Sequence, residues 1–263
     1  MIRAKMHRYA RVVLASLLVV SLLGLSACGS RSHTRASDNP YDWSHLTSSN
    51  GRYQYRVNGQ NLGVLGIDVS DHNGTIDWKS VAADGIDFAV VRVGYRGYTA
   101  GGISLDDRFE ANLSGARAAG LKVGVYFFSQ ATTTQEAKEE ADFVIKQLNG
   151  ASLDYPVVFD EEPVESAGGR ANNLTREQQT AIAKAFLERI EKAVYQGMVY
   201  CNQNDSSRFD FDELSAWPVW YAEYGTSQPS QAFDYTIWQF TSTGSVKGVT
   251  GNVDIDLDLT AAR

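Results

Sequence analysis

Two rhythms of hydrophobic and polar positions follow one another along the chain from residue 64 onward. Short apolar runs, typical of buried strands, lie at residues 64–69, 88–93, 123–128, 156–160, 198–201, 219–224, 235–241 and 252–257. Segments in which apolar positions recur every three or four residues, as in amphipathic helices, lie at residues 77–84, 106–119, 134–148 and 175–193. These helical segments alternate with the first five strands.

The alternation of strand and helix predicts a parallel sheet, and eight strands favour a closed barrel. The last strands break the rhythm, because the connectors at residues 225–234 and 242–251 are short and rich in Gly, Ser and Thr. Parallel neighbours usually need a helical crossover of a dozen or more residues. We therefore predict an α/β fold: an irregular (β/α), TIM-like barrel of eight strands. Its last three strands lack regular helices, at least one pairing is antiparallel, and the final strand runs against the others.

The start of the chain has the pattern of an export signal. The first eleven residues carry no acid and four basic side chains, and residues 12–25 are apolar. This apolar core is too short to span a bilayer, so residues 1–27 are predicted to be a signal peptide. The sequence LSAC at residues 25–28 resembles the lipobox of bacterial lipoproteins. We therefore expect lipidation of Cys28 and a membrane anchor outside the cytoplasm, although any signal peptide can carry a cysteine near its cleavage site.

Three further segments follow the signal. Residues 28–50 are polar with little periodicity, which predicts a flexible tether. Residues 51–62 alternate and turn at Asn58-Gly59, which predicts a short hairpin-like lead-in. Residues 63–263 are long enough for one barrel domain with a sizeable core.

Charge and composition exclude several classes of function. The formal net charge is −7, and removal of the four basic residues of the signal would make it −11. An acidic body argues against nucleic-acid binding through a basic patch.

Cys201 lies in an apolar run and is expected to be a core residue, and His72, the one histidine beyond residue 50, is expected in a turn. We find no metal-ligand spacing and no phosphate-binding loop, so we predict neither a metal nor another cofactor.

The strongest chemical signal is a pair of acids at the end of the fourth strand. Alternate side chains of a strand face the same way, so Asp160 and Glu162 share one face and Glu161 faces the other. Pro163 disfavours a helical conformation at Glu162. Two adjacent carboxyl groups cannot ionise independently, so one keeps its proton to a higher pH. Glycoside hydrolases use such a pair of a carboxylic acid and a carboxylate for catalysis. The alternative interpretation is a solvated acidic strand end without a catalytic role.

Two further acids are expected at the same rim. Asp68 ends the first strand, and an antiparallel final strand would bring Asp254 beside it, because the first and last strands of a closed barrel are neighbours. Catalytic groups of such barrels collect at the C-terminal ends of strands. The alternative for both residues is a role in stabilising the fold.

Eight segments in this order resemble glycoside hydrolase family 25, the "Chalaropsis"-type lysozymes of bacteria and phages. They cover residues 65 to about 259 and comprise GIDVS (66–70) with IDW (76–78), VVRVG (90–94), the spacing of Asp106, Phe109 and Asn112, AGLKVGVY (119–126), PVVFDEE (156–162), VWYAEY (219–224), IWQF (237–240) and GNVD (251–254). The resemblance implies cleavage of the β-1,4 bond between N-acetylmuramic acid and N-acetylglucosamine in peptidoglycan.

The resemblance also implies roles for the acids. Glu162 corresponds to the general acid, and Asp68 and Asp254 line the site and set its electrostatics. Asp160 either keeps the proton affinity of Glu162 high or acts on the acetamido group of the sugar. Whether the reaction retains or inverts the anomeric configuration stays open.

Three positions depart from the family pattern and bear on substrate preference. Glu161 stands where an apolar residue is common, and we expect it to face away from the site as a spectator. Phe127 stands where histidine is often found, and Asp256 where asparagine is often found.

Several other side chains are candidates for substrate binding. Rings that could stack on sugars or fill the barrel are Tyr126, Trp220, Tyr224 and Trp238. Arg92 lies in an apolar strand, needs a carboxylate partner if buried, and could pair with a rim acid. Arg170, in the loop after the fourth strand, could bind carboxylates of the substrate.

The sequence thus predicts a monomeric, membrane-anchored lysozyme that faces the cell wall and acts on peptidoglycan glycan strands. The alternative is a glycan-binding protein that keeps the barrel without turnover.

Overall fold

The computed structural model describes residues 39–166 and 168–263. The predicted signal peptide and Cys28 lie outside the described residues. Four α-helices are present in this part of the chain: α1 (Trp78–Ala83), α2 (Phe109–Ala118), α3 (Thr134–Leu148) and α4 (Arg176–Glu191). The strands are β1 (Leu46–Ser49), β2 (Arg52–Val57), β3 (Gln60–Asn61), β4 (Val64–Val69), β5 (Phe88–Arg96), β6 (Ile103–Leu105), β7 (Lys122–Phe128), β8 (Val157–Asp160), β9 (Gly197–Asn202), β10 (Val219–Ala222), β11 (Ile237–Gly244) and β12 (Val253–Asp258).

Eight of these strands close into a barrel in the order β4-β5-β7-β8-β9-β10-β11-β12. β4 pairs with β5 on one side and with β12 on the other, which completes the ring. β12 runs antiparallel to both of its neighbours, β11 and β4, and the other barrel pairings are parallel. The predicted irregular α/β barrel and the antiparallel course of its final strand are confirmed.

The barrel has two apolar layers, because successive side chains of a strand point to opposite faces. Along β7, Tyr126 joins an inner cluster with Val158 and Trp220. Its neighbour Phe127 faces outward and packs on Phe186 of α4. Phe127 therefore lies in the helix-facing layer, away from the mouth of the barrel.

The N-terminal part of the described chain forms a separate antiparallel sheet of β1, β2 and β3. The turn between β2 and β3 contains Asn58 and Gly59, both with positive φ, as a tight hairpin requires. Tyr41 is buried, and its hydroxyl donates a hydrogen bond of 2.8 Å to the carbonyl of Tyr235. The prediction of a flexible tether is therefore wrong for residues 41–49, because aromatic packing and pairing of β1 with β2 fix them.

Within the described ranges, no helix combines the length and the apolar character that crossing a bilayer requires.

Candidate active site

A cleft of about 440 Å³ opens at the C-terminal ends of the parallel strands. All four acids that the sequence singled out line it, namely Asp68, Asp160, Glu162 and Asp254. The strand ends and loops around them contribute the other lining residues, which are Val69, Ser70, His72, Asn73, Arg92, Tyr126, Phe128, Tyr200, Trp220, Tyr224, Gln239 and Asn252. Side chains from opposite ends of the sequence therefore meet in one concave, predominantly polar site.

Asp160 is the last residue of β8 and lies deep in the cleft, with 6% of its surface exposed. Its Oδ1 has no hydrogen-bond partner among the described residues. Burial raises its pKa well above the ordinary value of 3.8, and the charge of Glu162 raises it further. This oxygen is a buried acceptor without a donor, which is costly in the absence of a ligand.

Glu162 lies two residues further along, nearer the opening of the cleft. Its Oε2 accepts a hydrogen bond of 2.7 Å from Nδ2 of Asn202, and its backbone carbonyl accepts one of 2.9 Å from Gln130. Burial is the largest cause that raises the pKa of Glu162 from 4.5 to about 7, and the charge of Asp205 adds to it. A carboxyl group with this pKa keeps a substantial protonated fraction near neutral pH.

Asp68 and Asp254 occupy paired positions on β4 and β12. Nε2 of Gln239 donates a hydrogen bond of 2.6 Å to Oδ2 of Asp68. Burial raises the pKa of Asp68 well above its ordinary value, and the neighbouring charges of Asp254 and Asp256 add to the rise. Burial also raises the pKa of Asp254, to about 6.

Glu161 faces the opposite side of β8 from the two cleft acids. It is fully buried, its Oε2 lies 2.9 Å from Nη1 of Arg208, and it accepts a hydrogen bond from Gln179 of α4. Burial raises the pKa of Glu161, and the adjacent guanidinium of Arg208 opposes that rise by stabilising the carboxylate. Glu161 is therefore part of a buried ion pair between the barrel and its outer layer.

Arg92 lines the cleft but does not pair with any of the four cleft acids. Its Nε lies 2.8 Å from Asp106 and its Nη2 lies 2.6 Å from Asp71. The expected pairing with a rim acid is therefore wrong, because loops outside the barrel supply the carboxylates that Arg92 needs.

Three of the four candidate aromatic side chains line the cleft. Tyr224 is 45% exposed, whereas Trp220 is buried and donates a hydrogen bond of 2.8 Å from Nε1 to Asp256. Trp238 lies on the outer face of β11, where its Nε1 donates to the carbonyl of Glu223 and its ring packs 4.8 Å from that of Tyr53. The structure thus places Tyr126, Trp220 and Tyr224 at the site and excludes Trp238.

Arg170 is also absent from the cleft lining. Its Nη2 lies 2.7 Å from Oε1 of Glu136 on α3, and its guanidinium packs against Gly101. The expected contact of Arg170 with substrate carboxylates is not supported, because α3 already supplies a carboxylate partner.

Sequence reasoning missed several polar residues of the site, and three of them form hydrogen bonds to the cleft acids or to one another. Asn202 ends β9 and contacts Glu162, Gln239 contacts Asp68, and the hydroxyl of Tyr200 donates a hydrogen bond of 3.2 Å to Oε1 of Gln239. The sequence signal that could have identified them is a polar residue inside an apolar strand run or directly after it. His72 lies in a short 3-10 turn, as expected for a turn residue, and also lines the cleft.

Across residues 39–166 and 168–263, no group of three or more His, Cys, Asp and Glu side chains is arranged to hold a metal ion. The polar groups that line the cleft are carboxyl, amide, hydroxyl, imidazole and guanidinium groups, which suit proton transfer and hydrogen bonding to a polar ligand.

The family model of "Glycosyl hydrolases family 25" matches residues 67–249, which is more than half of the chain. The chain belongs to glycosyl hydrolase family 25. The matched region contains most of the barrel and three of the four cleft acids, whereas strand β12, which carries Asp254, lies beyond it.

Individual lysozymes and an autolysin are also similar to this chain. Lysozyme M1 of Streptomyces globisporus is 32% identical over 202 residues, which is 73% of this chain and 66% of that protein. The bacterial lysozyme from Streptomyces coelicolor superposes with a TM-score of 0.63 at 30% identity, over 74% of this chain and 91% of that one. The modular autolysin LytC from Streptococcus pneumoniae, in complex with a synthetic peptidoglycan ligand, gives a TM-score of 0.67 at 25% identity, over 81% of this chain and 51% of that one. The chain therefore spans 66% of Lysozyme M1 and about half of LytC.

Proposed function

We propose that the protein is a Chalaropsis-type lysozyme, a 1,4-β-N-acetylmuramidase. It cleaves the bond between N-acetylmuramic acid and N-acetylglucosamine in peptidoglycan. The observation that carries this proposal is the convergence of four acids on one cleft, in which Glu162 has a pKa of about 7. A carboxyl group that is still partly protonated near neutral pH, beside other carboxyl groups, suits general acid catalysis of glycoside hydrolysis.

Glu162 is the general acid in this proposal. Its proton passes to the glycosidic oxygen as the bond from that oxygen to the anomeric carbon breaks, and the departing sugar leaves as an alcohol. Positive charge develops at the anomeric carbon, and ionised cleft carboxylates stabilise it. Asp254, whose pKa of about 6 leaves it largely ionised near neutral pH, supplies negative charge to the same cleft, and Asp68 is paired with it on the adjacent strand.

Asp160 acts on the acetamido group of the sugar rather than serving only as a neighbour of Glu162. Its Oδ1 is buried and has no donor among the described residues, so an amide N–H of the ligand would satisfy it. A hydrogen bond from that N–H would orient the acetamido group beside the anomeric carbon. In this proposal the attacking group is either the acetamido oxygen or a water molecule.

Peptidoglycan is the proposed substrate because relatives of the chain carry the names lysozyme and autolysin, and one of them is bound to a synthetic peptidoglycan ligand. The rings of Tyr126, Trp220 and Tyr224 provide apolar surfaces for sugar faces. Arg92 contributes a positive charge to the same lining.

Product analysis tests this function. Purified protein is incubated with peptidoglycan sacculi, and the soluble products are reduced with borohydride and identified by mass spectrometry. Fragments with reduced N-acetylmuramic acid ends support the proposal. Binding to sacculi without new reducing ends would contradict it and leave a glycan-binding protein.

We also propose that the mature protein is a monomeric lipoprotein anchored through Cys28 and facing the cell wall. The lipobox-like sequence at residues 25–28 supports acylation of Cys28, and two or more acyl chains give stable membrane attachment. The mass of the N-terminal peptide and the membrane fraction of a Cys28→Ser variant test the anchor. Light scattering of the detergent-solubilised protein tests the monomer.

A further inference from the structure

The side chain of Asn202 lies between two carboxyl groups at the end of β9. Its Nδ2 is 2.7 Å from Oε2 of Glu162 and 2.8 Å from Oδ2 of Asp205. An amide NH₂ group has two hydrogens to donate, so these two contacts use both of them.

The orientation of this amide is fixed by its other contacts. Oδ1 of Asn202 accepts hydrogen bonds from the backbone N–H groups of Asn204, at 2.8 Å, and Asp205, at 3.2 Å. The backbone N–H of Asn202 in turn donates to Oδ1 of Asp205 at 3.0 Å. A flipped amide would place its NH₂ against two N–H donors and its oxygen against two carboxyl groups, so only one orientation satisfies the network.

We propose that Asn202 and Asp205 are positioning residues for Glu162, and this inference rests on the function proposed above. Asn202 donates to Oε2 of Glu162, so that oxygen is an acceptor in both protonation states of the carboxyl group. The acidic proton is therefore confined to the other oxygen, Oε1. Asp205 holds the amide in place and adds a negative charge behind it.

The two residues act on the proton affinity of Glu162 in opposite directions. The hydrogen bond from Asn202 stabilises the carboxylate and lowers the pKa of Glu162, whereas the charge of Asp205 raises it. Asp205 is itself 4% exposed, so its charge is weakly screened. The other ionisable groups that interact with Glu162 are Asp160, Glu161, Tyr200, Cys201, Tyr224 and Asp254.

Two variants with opposite expected effects test the inference. In Asn202→Ala, the upper limb of the pH profile of kcat should move to higher pH, because the carboxylate loses a donor. The optimum kcat should fall on the order of tenfold with little change in KM, since the proton is no longer confined to Oε1. In Asp205→Asn, the upper limb should move to lower pH, because a negative charge is lost. Asn204→Ala, in the same turn, is the matched control and should leave the profile unchanged.

A direct titration separates this inference from the proposed function. The carboxyl carbon of Glu162 is followed by NMR in ¹³C-labelled protein, with Glu162→Gln identifying the signal. Its titration midpoint should rise in Asn202→Ala and fall in Asp205→Asn. Absence of turnover in the wild type would contradict the proposed function. The titration would still show whether Asn202 and Asp205 control the pKa of Glu162. Titration midpoints that stay unchanged, or that move in the same direction in both variants, would overturn the inference. If Asn202→Ala does not fold, the midpoint in Asp205→Asn alone decides.

Discussion

Asp68 and Asp254 are paired residues on the adjacent antiparallel strands β4 and β12, and both line the cleft. Directly paired like charges destabilise a sheet, and burial strengthens the repulsion between them. The pKa of each residue is accordingly raised. The closing strand of the barrel thus concentrates acids that are unfavourable for folding at the place where substrate would bind.

Neutralising Asp254 should stabilise the protein most at higher pH. Its pKa is 3.8 ordinarily and about 6 in the folded protein, so between these values the unfolded state binds fewer protons. The free energy of unfolding therefore falls as pH rises through this window. Asp254→Asn removes that loss, so the variant should have a higher Tm than the wild type at high pH. The difference in Tm between the two proteins should be larger by about 2–6 °C at about pH 8 than at about pH 4. The exposed Asp107→Asn is the control, and a gain that does not depend on pH would contradict the prediction.

The rate of hydrolysis should fall on the alkaline side as Glu162 loses its proton. Its pKa of about 7 predicts that kcat/KM declines above about pH 7 and approaches roughly tenfold per pH unit. The pH profile on a soluble peptidoglycan fragment measures this limb. A rate that stays constant to about pH 9 would show that another group supplies the proton.

Arg208 should be needed for stability because it neutralises Glu161 inside the protein. Arg208→Ala leaves a buried acid without its counter-charge, and we expect a loss of about 3–5 kcal/mol in the free energy of unfolding. The double variant Glu161→Gln, Arg208→Met should recover most of it. Urea unfolding measures both values, and a loss below about 1 kcal/mol for Arg208→Ala would refute this account of the pair.

Tyr224 and Trp238 should give opposite results, although both are aromatic residues in the C-terminal part of the barrel. Tyr224 is exposed at the cleft, so Tyr224→Ala should raise KM by about 2- to 10-fold with little loss of stability. Trp238 is buried outside the cleft, so Trp238→Ala should cost about 3–5 kcal/mol of stability while the folded fraction keeps its KM. The reverse pattern in steady-state kinetics and urea unfolding would contradict the placement of the two rings.

Much of the barrel was predictable because its strands are apolar runs and its first helices are regular. The short connectors at residues 225–234 and 242–251 also predicted the antiparallel end of the barrel. The strand β1 was not predictable, because its sequence is largely polar and it is held by backbone pairing with β2. The hydrogen bond from Tyr41 to Tyr235 joins residues 194 apart, which no local pattern reveals.

Strand periodicity predicted which acids face the cleft. It did not predict which of two neighbouring side chains on β11 does so. Trp238 and Gln239 are both buried, since this part of the strand has apolar layers on both faces. Periodicity shows that the two side chains point in opposite directions and does not show which of them faces the cleft. The position of Arg170 was equally hidden, because Glu136 on a distant helix determines it.

The most direct measurement of the central claim is the turnover of Glu162→Gln on purified sacculi, compared with the exposed Glu165→Gln in the adjoining loop. Loss of the general acid should lower kcat at least about 100-fold, while the melting curve shows an intact fold and Glu165→Gln keeps the wild-type rate. Wild-type turnover in folded Glu162→Gln would contradict the assignment of the catalytic proton to this cleft.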